Sequence, residues 1–283
     1  MKRKFLAALV LIALVTSWGV FANAVTKPEK ISVEVITDST CEFCSVDEAQ
    51  NKIKSYWPQA VFSRMDYRAK PAQDLIAKYG IKTLPCLLIS SKIKNTDAFK
   101  DASDNFSEVG DRLLLKTDKA GMFLFLNRPY AASEITYFFD FYDYRTKNTF
   151  PLLAEFCKDK KIKLNIKIIV PTIAVPGYPQ QEISTALAVA QNYPDKFFDY
   201  LNERINFIET LDCTTSAAKM GMDINVILKA ISPPLTGKLL ADNEVLAKEL
   251  GITNGNAILV NNRRLFMIMK AKPKDFAKIV NHK

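Results

Sequence analysis

The chain has 283 residues, 48% hydrophobic and 24% charged, with 9 Gly and 13 Pro. That is a globular profile, long enough for one large domain or two ordinary ones, and it excludes collagen-like, low-complexity and wholly disordered chains. The single histidine, His282, stands one residue from the C-terminus, which argues against Ser-His-Asp triads, Cys-His dyads and His-ligated metal centres. The net charge of +9 comes without a dense Lys/Arg run, so solubility explains it and no nucleic-acid partner is expected.

Lys2-Arg3-Lys4 precedes an apolar run from Phe5 to Ala22, then Ala22-Asn23-Ala24 and a polar stretch. This pattern predicts a signal peptide over residues 1–24, cleaved after Ala24, and a periplasmic or secreted protein; an uncleaved N-terminal membrane anchor is the alternative. Export places the cysteines where disulfides form and persist.

Ile31 to Thr37 alternates and is β-branched, which predicts a strand. Cys41-Glu42-Phe43-Cys44 follows, and then Val46, Ala49, Ile53 and Trp57 recur at helical spacing up to Pro58, predicting a helix from Ser45 to Trp57. The Cys-x-x-Cys is thus expected at a strand-to-helix turn. A strand over residues 60–67, a short helix over 72–79 capped by Gly80, and an apolar strand from Cys86 follow, the last entered through Leu84-Pro85.

Strand, Cys-x-x-Cys, helix, strand, helix, Pro, strand resembles the thioredoxin fold, carried by Cys41, Cys44, Tyr79-Gly80-Ile81 and Pro85. The resemblance implies that Pro85 is cis and lies against the cysteine pair. It implies Cys41 as the nucleophile, Cys44 as the resolving thiol, and a backbone at Leu84 free to pair with an extended substrate. A helix N-terminus beside Cys41 would stabilise its thiolate, and Glu42 would oppose that, pointing to a milder oxidant or a reductase. The sequence departs from thioredoxins in having Val35 where they carry a buried acid, and Cys86 directly after the proline. Cys86 is either a small core hydrophobe or a third thiol that, with Cys41 and Cys44, takes part in exchange or holds Cu or Zn. A static Cys41–Cys44 staple is the other reading.

Further along, a helix is expected over residues 96–109, a turn within Lys116-Thr117-Asp118-Lys119-Ala120-Gly121, a strand over 135–141 and a helix over 150–158. The segment 246–260 lies over 75–89 without a gap, matching Gly251 to Gly80 and Asn256 to Pro85, an internal duplication signal. Residues 134–283 resemble the DsbA-type disulfide oxidoreductases, through Phe138-Phe139-Asp140-Phe141, Pro151-Leu152-Leu153 and a helical stretch over 181–231. That family's dithiol would fall at Asp143-Tyr144-Arg145-Thr146, where neither cysteine is present, so this half is expected to be redox-inactive. The aromatic run 137–144 fits a strand and its core contacts, or a peptide groove. Cys157 and Cys213 are either a structural pair or separate buried thiols.

The fold expected is α/β: two thioredoxin-like domains, each a mixed sheet flanked by helices. The first covers residues 30–125; the second, 134–283, carries a helical insertion. The function implied is thiol-disulfide exchange with protein substrates, recharged by a redox partner the sequence does not name and needing no cofactor. The rivals are a non-enzymatic binding or chaperone-like protein and a Cys-based metal-binding protein.

Overall fold

A computed structural model describes residues 30–115, 122–170, 179–231, 233–253, 255–267 and 273–281. The expected leader, the 116–121 turn and His282 lie outside the described residues.

Chain order in the first half is β1 (Ile31–Thr37), α1 (Asp47–Tyr56), β2 (Ala60–Asp66), α2 (Lys70–Tyr79), β3 (Thr83–Leu84), β4 (Cys86–Ser90), α3 (Asp97–Ala102), β5 (Phe106–Val109) and β6 (Arg112–Leu115). The second half contains β7 (Met122–Phe125), β8 (Glu134–Phe139), α4 (Thr146–Lys160), β9 (Lys163–Ile168), α5 (Pro179–Asn192), α6 (Phe197–Phe207), α7 (Cys213–Lys219), α8 (Ile224–Ala230), α9 (Pro233–Glu249), β10 (Ala257–Val260), β11 (Arg264–Met267) and α10 (Pro273–Asn281).

The strands form two mixed sheets flanked by helices, in the orders β2-β1-β4-β6-β5 and β3-β7-β11-β10-β8-β9. The two share a pattern of strand pairing. β1 is parallel to β2 and antiparallel to β4, which is antiparallel to β6. Likewise β8 is parallel to β9 and antiparallel to β10, which is antiparallel to β11. The segments 75–89 and 246–260 are locally alike: Gly80 (φ 61°) and Gly251 (φ 69°) both turn left-handed after a helix, and β4 and β10 follow at the same spacing.

Period-2 alternation assigns the faces. In the first sheet Ile31, Val33, Val35, Leu87 and Ile89 pack with Ile53 and Trp57 of the α1 region. Ile36, Cys86 and Leu88 turn the other way, toward Ala72 of α2. In the second sheet Tyr137, Phe139, Ile258 and Phe266 share a core with α4, α10 and the helical insertion, whereas Phe138, Ala257 and Leu259 face Ala247 and Leu250.

Three expectations need correction. Only Asp97–Ala102 of the segment 96–109 is α-helical, because Ser103-Asp104-Asn105 tightens into a 3-10 turn and Phe106–Val109 pairs with β6. Met122–Phe125, expected within the first domain, joins the second sheet through β11, as Thr83–Leu84 does through β7, so the two sheets interleave along the chain. Helix α4 starts at Thr146 and runs through Pro151, earlier than residue 150. The aromatic run is mostly core: Tyr137, Phe138 and Phe139 are buried, although Tyr144 is 81% exposed.

Candidate active site

β1 delivers the chain into a loop, residues 38–46, that holds Cys41 and Cys44 as a disulfide with a Cα–Cα distance of 5.4 Å. The loop is folded by its own polar groups. Cys41 N donates to Asp38 O (3.1 Å) and Cys44 N to Cys41 O (3.4 Å). The buried Asp38 carboxylate accepts from Thr40 N (3.0 Å) and Thr40 Oγ1 (2.6 Å), and meets Arg68 Nη2 at 3.3 Å and Arg264 Nη2 at 3.8 Å. Asp66 accepts from Ser39 N (2.9 Å) and from the Arg68 guanidinium (2.8 Å). Hydrogen bonds from Arg68 and Ser39 hold the Asp66 carboxyl well below the usual carboxylate range.

The two sulfurs are unequal. Cys44 is 3% exposed within the core of the second sheet, alongside Met122 and Phe266, whereas Cys41 is half-buried at its edge. Cys41 Sγ lies 3.7 Å from Met122 Sδ. The intervening residues also reach across. Phe43 meets Phe266 edge to face, with centroids 5.8 Å apart, and Glu42 accepts from Lys278 Nζ at 2.8 Å.

The helix-edge expectation fails. Helix α1 begins at Asp47, three residues past Cys44, and its first turn carries Asp47 and Glu48. The helix dipole acts mainly within the terminal turn, so it gives Cys41 little of the thiolate stabilisation expected from position alone. Glu42, expected to oppose a thiolate, is paired with Lys278, which offsets its charge.

The Leu84–Pro85 peptide is cis, and Pro85 is buried. Leu84 is 1% exposed and pairs with Leu124, as Thr83 pairs with Phe125. β3 is the terminal strand of that sheet, paired with β7 along one edge. Proline has no N–H to continue the ladder, and the chain crosses there from the second sheet into the first, where Cys86 pairs with Ile36. Pro85 lines a groove of about 670 Å³ with Ile81, Leu114, Phe125 and Leu250, and neither Cys41 nor Cys44 lines it.

Cys86 belongs to a different core cluster from Cys44, and burial pushes its thiol up to about 12. Among the described residues no group of three or more His, Cys, Asp or Glu could hold a metal ion, so the Cys41, Cys44, Cys86 metal site is not formed. Cys157 and Cys213 are separate buried thiols, which settles the choice between pairing and independence. At the duplicated position in the second sheet, Asn256 (φ 69°) is buried and accepts from Tyr137 Oη at 2.8 Å, while Asp143 and Arg145 form an ion pair at 2.5 Å.

Asp38, Met122, Arg264, Phe266 and Lys278 are the site residues that sequence reading missed. Only Asp38, three residues before Cys41, carried a local signal.

No protein-family model matches the sequence, and neither does any curated protein. Solved structures similar to it include the thiol-disulfide exchange protein alpha-DsbA2 of Wolbachia pipientis, at 17% identity and TM-score 0.46, covering 55% of this chain and 87% of that one. ScsC of Proteus mirabilis gives 18% identity and TM-score 0.44 over 53% of this chain and 81% of that one. The disulfide oxidoreductase DsbA of Proteus mirabilis gives 17% and 0.41 over 55% and 90%. Among the described residues no helix is long and apolar enough to cross a membrane.

Proposed function

We propose that this chain is an exported thiol-disulfide oxidoreductase that exchanges disulfides with protein substrates through Cys41 and Cys44. The observation that carries the reading is the unequal burial of two bonded sulfurs, one half-buried at the edge of the core and one sealed within it. In the oxidised protein a substrate thiolate attacks Cys41 Sγ, the bond to Cys44 breaks, and Cys44 leaves as a thiolate that takes up a proton. A second substrate thiolate then attacks the mixed disulfide, releasing Cys41 and leaving the substrate oxidised. Run backwards, the Cys41 thiolate attacks a substrate disulfide and Cys44 resolves the intermediate. No cofactor enters this chemistry, and a separate redox partner restores the starting state. We assign Pro85, whose cis peptide separates β3 from β4, to shaping the substrate edge. The export signal over residues 1–24 and the two-domain division belong to the same proposal.

The test is turnover of insulin and of a scrambled-disulfide substrate by wild type and by Cys41→Ser. Wild type is expected to be active and the variant near background; equal activity in both proteins overturns the mechanism.

A second reading, a binding platform with a static Cys41–Cys44 bridge, is favoured by one observation: α1 starts too late for its dipole to act strongly on Cys41. A disulfide that survives millimolar dithiothreitol in the native protein would select that reading.

A further inference from the structure

We infer that Lys278 and Phe266, both far along the chain from the disulfide, are positioning residues that hold the Cys41–Cys44 loop closed and slow attack on its bond. The inference rests on the reading that Cys41 is the sulfur attacked, and it concerns how that sulfur becomes reachable.

Four contacts tie the loop to the second sheet and its last helix. Asp38 faces Arg264 at 3.8 Å, Cys41 Sγ touches Met122 Sδ at 3.7 Å, Glu42 binds Lys278 at 2.8 Å, and Phe43 stacks edge-on against Phe266. These partners come from β7, β11 and α10, and Glu42 and Lys278 are separated by 236 positions, so local chain geometry does not enforce the contact. Both residues between the cysteines are committed to it. Cys44 is 3% exposed, so a reductant must use Cys41, part of whose surface Met122 already covers. With Met122 against Cys41 and both intervening residues held, lifting of the loop from the face made by Met122, Phe266 and Lys278 would widen the approach to Cys41. The reduction rate then carries the cost of that local opening. Glu42 and Lys278 sit at the solvent side, 68% and 55% exposed, and Phe43 and Phe266 lie toward the core. This arrangement makes the ion pair an adjustable outer contact and the ring pair the main closure.

The experiment measures reduction of Cys41–Cys44 in the full chain by a neutral trialkylphosphine, a probe whose approach is insensitive to added charge. Phosphorus attacks Cys41 Sγ, the S–S bond breaks, and Cys44 leaves as a thiolate and is protonated. Water then attacks phosphorus, releasing Cys41 as a thiol and giving the phosphine oxide. Phosphorus loses two electrons and the disulfide gains them.

Phe43→Ala is expected to react about tenfold faster than wild type, from loss of an aromatic pair and its buried area. Lys278→Glu is expected to react about threefold faster, the scale of a surface ion pair. The exchange Glu42→Lys with Lys278→Glu is expected to return to within about twofold of wild type. The inference stands only if Phe43→Ala accelerates and the exchange reverses the effect of Lys278→Glu; any other pattern overturns it. Because the phosphine reports on the bond directly, this pattern without insulin turnover would remove the enzyme reading and keep the closure. Turnover with unaltered phosphine rates would do the reverse.

Discussion

Cys86 and Cys157 have thiols that burial pushes up to about 12, from an ordinary value of 9.0. The sign of the resulting pH dependence follows from which state ionises first. Above about pH 9 the unfolded chain releases these protons while the native protein keeps them. The stabilising difference is therefore complete below pH 9 and is lost as pH rises toward 12, at about 1.4 kcal/mol per pH unit for each thiol. Urea unfolding at pH 8 and pH 10.5 should show Cys86→Ala less stable than wild type at pH 8 but falling by a smaller amount between the two; an identical fall would remove Cys86 from the account. Gly255 supports a second prediction at this scale. A Cβ built there would lie 2.3 Å from Asp140 Cβ and 3.1 Å from Asp140 N. Backbone must shift to admit it, so Gly255→Ala should cost about 1–3 kcal/mol by overpacking, read as a lower thermal midpoint. Loss of less than 0.5 kcal/mol, roughly the level of a neutral surface change, would contradict that close approach.

The helical insertion is organised around one ion pair. Arg204 of α6 is 0% exposed and binds Glu182 of α5 through two hydrogen bonds of 3.0 and 2.6 Å, while its Nη1 donates to Leu211 O and Ser216 Oγ. Removing one partner of such a pair leaves an uncompensated buried charge, at about 3–5 kcal/mol. Glu182→Gln should therefore destabilise strongly, and Glu182→Leu with Arg204→Met should recover much of the loss; chemical denaturation of the two variants checks this. At the scale of elements the sequence was informative where the signal is local. The alternation of Ile31 to Thr37, the Ala49, Ile53, Trp57 spacing and the Gly80 stop each correspond to an element within a few residues. The start of α1 was misplaced because Ser45 and Val46 continue the apolar and polar pattern without helical geometry. Phe106–Val109 was misread because its pairing with β6 lies outside its own segment. The most consequential miss was β3: nothing in Thr83-Leu84 announces a partner at Leu124 and Phe125 in another sheet.

Across the whole molecule, the second half does more than repeat a topology. Its Met122, Arg264, Phe266 and Lys278 complete the surroundings of the Cys41–Cys44 loop, and where the sequence resemblance would put a second dithiol and proline it carries Asp143, Thr146 and Asn256. The cysteine pair was legible because two residues at fixed spacing after a strand form a local pattern. Its surroundings were not, because they depend on contacts between segments far apart in the chain. The central claim is that Cys41 is the sulfur that meets a protein substrate. The most direct measurement is capture of a mixed disulfide on a scrambled, partly reduced protein by two single variants, Cys44→Ser and Cys41→Ser, resolved on a non-reducing gel. Cys44→Ser, which leaves the half-buried thiol, is expected to form the covalent adduct readily; Cys41→Ser, which leaves only the sealed one, is expected to form almost none. Equal capture by both variants, or capture by neither, would contradict the account.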